Sequence, residues 1–167
     1  MKYEIVYLSK TGNTEKVAYA LAEALPHNQC RMVNLDSDKP SDDADVYLIG
    51  FGVNKGTCPY RLLTWMEELE GKKIMLFATG GLAAFQGYQR KLEAIVTSFL
   101  PDDCEFLGFF LCQGKITQEG YAYLESCLSN PDDPNSAKNL QQLYSYSQTH
   151  PDEQDLENAC SFMQNIL

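Results

Sequence analysis

The chain has 167 residues, 44% of them hydrophobic, and a formal charge of −10. With a pI near 4.5, that acidity argues against nucleic-acid binding, which needs positive potential, and suits a basic partner surface. No stretch approaches the roughly 20 apolar residues of a membrane span, and the N-terminus enters a strand directly, so neither a membrane nor a secretion signal is expected. The expected compartment is the cytoplasm. There, Cys30, Cys58, Cys104, Cys112, Cys127 and Cys160 would be reduced and mostly buried. Only His27 and His150 are present, neither beside a cysteine pair, so no zinc or iron–sulfur site is expected. Any electrons would have to be held by an organic cofactor.

In chain order, Lys2 to Leu8 predicts a buried strand, and Val17, Ala18, Leu21, Ala22 and Leu25 predict a helix closed by Pro26. Between them lies Ser9-Lys10-Thr11-Gly12-Asn13-Thr14, with three hydroxyls, an amide and a glycine at the start of a helix. Unpaired backbone N–H groups and the helix dipole favour an anion there. Gly12 would let the backbone bend, Asn13 would cap the helix, and a phosphate would need no arginine. Arg31 to Leu35 and Asp45 to Gly50 read as the second and third strands, with an acidic turn from Asp36 to Asp43 between them. A helix opens at Cys58-Pro59 with Leu62, Trp65, Met66 and Leu69 on one face and stops at Gly71. Trp65 reads as packing.

Ile74 to Ala78 is a continuous apolar strand of the kind found inside a parallel sheet. Tyr88, Leu92, Ile95, Val96 and Phe99 form the next helical stripe, ended by Pro101. Phe106 to Cys112 is the fifth strand. Ile116 to Leu128 reads as helical, Asn130 to Asn135 as a loop, and Ser136 to Tyr146 has no clear pattern. A final helix begins near Asp152, with Leu156, Ala159, Cys160, Met163 and Ile166 on one face. Alternating strands and helices predict an α/β fold with right-handed crossovers and a parallel sheet covered on both faces. The expected organisation is one domain, a core over 1–115 carrying a packed helical segment over 116–167.

The hexapeptide Ser9 to Thr14 resembles the phosphate loop of the flavodoxin family, Ser/Thr-x-Thr-Gly-Asn-Thr directly after the first strand. All five specified positions match. The resemblance implies a flavodoxin-like three-layer sandwich with sheet order 2-1-3-4-5 and non-covalently bound flavin mononucleotide (FMN). In such sheets ligands bind beyond the carboxyl ends of the strands, which selects three loops: Ser9 to Thr14, Phe51 to Cys58 and Thr79 to Tyr88. In the second, the resemblance offers Phe51, Gly52, Val53, Asn54, Lys55 and Gly56 to the ring. Gly52 and Gly56 would permit a peptide rotation near the flavin N5. Lys55 stands where many flavodoxins have an acid; it either raises the potential of the anionic reduced flavin or is a solvated surface lysine. In the third, the N–H groups of Thr79, Gly80 and Gly81 suit the pyrimidine edge. Gln86-Gly87-Tyr88 partly echoes a family run whose tyrosine covers the ring. Tyr88 either does so or opens the core stripe, with Phe85 as second candidate.

No catalytic residue set or metal site is evident. The resemblance therefore implies an electron carrier between a reductase and an accepting enzyme. The alternative is an FMN-dependent NAD(P)H:quinone or small-molecule reductase. The segment from His150 to Glu153 resembles the ends of flavodoxin-like proteins that are not the standard carriers. It is read, with Tyr121, Tyr123, Tyr144 and Tyr146, as packing or a partner surface.

Overall fold

The computed structural model describes all 167 residues. The elements follow the alternating order: β1 (Tyr3–Leu8), α1 (Asn13–Ala24), β2 (Cys30–Asn34), β3 (Val46–Gly52), α2 (Tyr60–Met66), β4 (Lys73–Gly80), α3 (Tyr88–Thr97) and β5 (Glu105–Gln113). Three further helices follow: α4 (Gln118–Leu128), α5 (Ser136–Ser147) and α6 (Glu153–Ile166). All five strands are parallel, in the order β2-β1-β3-β4-β5. No helix is long and apolar enough to cross a membrane.

The sheet is buried on both faces, and the period of two along each strand divides its side chains between two cores. Val6, Tyr47, Ile49, Phe51, Ile74, Leu76 and Ala78 pack on one face with Leu62, Met66, Leu92 and Val96 of α2 and α3. Ile5, Tyr7, Val46, Leu48, Met75 and Phe77 pack on the other with α1 and α6, through Val17, Leu21, Ala159 and Met163. Helix α6 is thus part of a sheet-covering layer. Its start is fixed by a capping box in which Asp152 and Asp155 each accept the other's backbone N–H. Helices α4 and α5 build a third, smaller cluster from Ile116, Leu124 and Leu140.

Several sequence expectations need correction. Strands β3 and β4 run on to Gly52 and Gly80, because the ladder continues through the pairs Gly52–Thr79 and Gly80–Gln113. Phe51, Gly52, Thr79 and Gly80 are therefore strand residues. Phe51 is completely buried and belongs to the core, stacked on Phe109 with ring centroids 6.2 Å apart. Ile95 is exposed although it falls on the α3 stripe. The fourth helix starts at Gln118, two residues later than expected, because the Thr117 hydroxyl caps it by accepting the Gly120 N–H at 3.0 Å. The patternless stretch from Ser136 is helix α5. Of the six free cysteines, only Cys58 and Cys112 are buried, and Cys127 is exposed.

Candidate functional site

A cavity of about 460 Å³ opens at the carboxyl ends of the strands, where β1 and β3 lie side by side and their crossovers leave in opposite directions. Its floor is the loop between β1 and α1. Gly12 sits at the helix N-cap with φ of 85°, a left-handed conformation that suits glycine, and a Cβ there would meet nothing within 4 Å. Asn13 is consequently the first helical residue and not the cap. Its side-chain amide donates to the Lys115 carbonyl at 3.1 Å. Ser9 Oγ accepts the Glu15 N–H at 3.3 Å, which draws the loop into its curve. No protein acceptor takes the N–H groups of Lys10, Thr11 or Gly12. Lys10 and Thr11 line the cavity, and Gly12 follows them at the positive end of α1.

Thr14 is buried, and its hydroxyl lies 2.9 Å from that of Thr79 at the end of β4. This contact ties the first and third loops together at the cavity wall. The second loop is a tight hairpin turn. Asn54 and Thr57 exchange backbone hydrogen bonds of 2.8 and 3.1 Å, and the two residues at the tip, Lys55 and Gly56, have φ of 49° and 79°. Those are the angles of a type I′ turn, so the tip holds a defined shape.

Of the residues singled out by sequence, Ser9, Lys10, Thr11, Asn13, Thr14, Gly52, Val53, Asn54, Lys55, Gly56, Thr79, Gly80, Gly81 and Tyr88 all line this cavity. Gly12 shapes it from within the loop. Phe51 and Phe85 lie outside it, Phe51 in the core and Phe85 half exposed. Tyr88 opens the core stripe as one expectation had it, packing against the core cluster, and it also lines the cavity. Burial pushes its phenol pKa up, with a further rise from the nearby Tyr123 hydroxyl.

Sequence reasoning missed one whole wall. Gly114, Lys115, Ile116 and Thr117 follow β5, and Gly120, Tyr123 and Leu124 come from α4; Asp36, Pro59, Arg61 and Leu82 complete the rim. The carboxyl-end rule applied to β2 and β5 as well as β1, β3 and β4 would have found Asp36 and the stretch from Gly114 to Thr117. The segment around His150 serves packing: its Nδ1 lies 2.6 Å from Asp155 Oδ2, and its ring lies 4.3 Å from that of Tyr146. His150, Asp152 and Asp155 are the one cluster with metal-ligand character, and the capping box already uses both carboxylates.

An open parallel sheet in the order 2-1-3-4-5, with an anion-ready loop after β1, defines a flavodoxin-like fold. The flavodoxin domain profile matches residues 4–164, and the chain belongs to that family, whose fold is an FMN-binding one. It is similar to the flavodoxin-like domain-containing protein BilS of Clostridioides difficile (strain CD3), 33% identical across the whole chain and 97% of that protein. Among solved structures it resembles a Streptococcus pneumoniae flavodoxin, with TM-score 0.62 and 16% identity over 99% of this chain and 97% of the other. It also resembles a Lactobacillus acidophilus flavoprotein solved in complex with FMN, with TM-score 0.52 and 16% identity over 66% of this chain and 92% of that one.

Proposed function

We propose that the cavity holds FMN and that the protein carries electrons between redox partners. The observation that carries this reading is the set of N–H groups at Lys10, Thr11 and Gly12 without a protein acceptor, in the loop that enters α1 beside the cavity. A phosphate dianion seated there takes several charge-assisted hydrogen bonds and the favourable end of the helix dipole. Ser9 and Thr11 add hydroxyls. The Asn54–Thr57 turn, Gly80 and Gly81 would flank the ring, with Tyr88 and Tyr123 as the aromatic side chains on the cavity wall.

Bound FMN supplies one- and two-electron chemistry, with proton uptake at its ring nitrogens. The chain's own contribution is to anchor, orient and shield. The loop from Ser9 to Thr14 fixes the phosphate. The turn after β3 brings Lys55 to the cavity, and the buried side chains of Ile116 and Leu124 would exclude water from its inner wall.

A second reading, a small-molecule reductase, draws support from the wall supplied by α4, which encloses the cavity on a side that the three sequence-predicted loops leave open. Two measurements on apo-protein reconstituted with FMN separate the readings. Quenched flavin fluorescence on titration is expected under both. A carrier oxidises NADH or NADPH negligibly without a partner, whereas steady consumption with a quinone present establishes the reductase. Unquenched flavin at near-millimolar protein overturns both.

A further inference from the structure

The chain carries a net −10, yet the mouth of the cavity carries the opposite sign. Lys10, Lys55, Arg61 and Lys115 line it against a single carboxylate, Asp36, which pairs with Arg61 at 3.3 Å. None of the three lysines has a carboxylate partner, and all four cations are exposed. They come from four different places: the phosphate loop, the tip of the turn after β3, the start of α2, and the segment after β5. The phosphate of FMN accounts for Lys10, which belongs to its loop. It does not account for the other three.

We propose that this ring of cations docks the acidic face of an electron-transfer protein, so that the partner's redox centre arrives over the cavity mouth. The proposal rests on the FMN reading above. A compact substrate anion would call for cations converging on one inner wall; exposed cations spread over four elements around a mouth match a protein surface instead. Net charge alone favours a basic partner, but it acts at long range and is screened over a Debye length of about 8–10 Å at moderate salt. Contacts at the mouth are shorter than that, so local charge governs the docked orientation. An acidic surface elsewhere on this chain then disfavours every other orientation of the same partner.

The test compares two double variants with the same change in net charge. Arg61→Glu/Lys115→Glu alters the mouth; Lys39→Glu/Lys138→Glu alters exposed positions that do not line the cavity. Holo-protein, photoreduced without oxygen, is mixed at about 0.1 M salt with cytochrome b5, which presents an acidic haem edge, or with cytochrome c, which presents a basic one. Each event moves one electron from reduced flavin to one ferric haem, leaving ferrous haem. The mouth variant is expected to lower the b5-to-c rate ratio on the order of tenfold, and the distal variant to leave that ratio within about twofold. Equal ratios in the two variants, or a higher ratio in the mouth variant, overturn the proposal.

A second readout does not depend on electron transfer. Unlabelled cytochrome b5 added to ¹⁵N-labelled protein should shift the amides around residues 55, 61 and 115, and scattered shifts contradict docking at the mouth. Failure to take up FMN appears separately, as unquenched flavin fluorescence, and is thereby distinguished from failure to dock.

Discussion

The Asn13 side-chain amide reaches across 102 residues of sequence to the Lys115 carbonyl, joining the phosphate loop to the segment that opens the C-terminal helices. A Cβ on Gly114 would stand 3.0 Å from the same amide, so the two strands of backbone are held close. Asn13→Ala removes the hydrogen bond and is expected to cost about 1 kcal/mol of stability. It should also raise amide exchange at residues 114–117, where the Ile116 N–H is held by Ser147 Oγ at 3.1 Å. Urea unfolding and hydrogen exchange check this. Unchanged exchange there would mean that the contact holds nothing in place.

The turn at Lys55-Gly56 separates shape from charge. Asn-Gly is the favoured pair for a type I′ turn, so Lys55→Asn should keep the turn at least as stable while removing the cation. If Lys55 acts on the anionic reduced flavin, that variant lowers its reduction potential by on the order of 1 kcal/mol per electron. Gly56→Ala places a side chain at φ of 79° and should cost about 1 kcal/mol in turn stability. Redox titration and thermal melts of the two variants check both statements, and an unshifted potential for Lys55→Asn identifies a merely solvated lysine.

Thiol accessibility follows burial. Cys58 and Cys112 are buried, and burial pushes both thiols up, Cys112 to about 12. Maleimide at pH 8 should therefore label Cys127 first and leave Cys58 and Cys112 untouched until the protein unfolds. Mass mapping of a time course gives the order.

Alkaline stability has a predictable sign. Burial, with a hydrogen bond of 2.9 Å to Glu15, raises the Tyr7 phenol from its ordinary 10 to about 12. Below pH 10 both the folded and unfolded forms keep this proton. Between about 10 and 12 the unfolded chain loses it first, so the stability present at neutral pH declines through that window, by roughly 2 kcal/mol. Cys112, raised from 9 to about 12, acts in the same direction from about pH 9. Tyr7→Phe should shallow the decline between pH 10 and 12 in urea titrations, at the expense of about 1 kcal/mol at neutral pH.

The first crossover was legible because every signal in it is local: an apolar strand, a hydroxyl-rich loop and an apolar stripe at helical spacing. What was not legible depends on partners distant in sequence. Asn13 looks like a cap by type, but a left-handed Gly12 takes that position and frees the amide for Lys115. Phe51 lies one residue before the end of β3, yet the alternation of the strand turns it toward Phe109 and the core. Helix α5 buries only Leu140 and Ser147, too narrow a stripe to show as a period. Tyr123 and Leu124 reach the cavity only because α4 brings Leu124 against Gly81, just past the end of β4, and nothing in their own segment announces that.

In the proposed site a phosphate group, held on the N–H groups of Lys10, Thr11 and Gly12 and on the Ser9 and Thr11 hydroxyls, anchors the flavin. Dissociation constants for FMN and riboflavin, measured on wild-type apo-protein and on Thr11→Ala, test it most directly. The wild type should bind FMN far more tightly than riboflavin. Loss of one hydrogen bond to a charged group should reduce that preference by about 1.5–3 kcal/mol while leaving riboflavin binding unaltered. Equal affinity of the wild type for the two flavins, or an equal loss for both in the variant, would contradict the account.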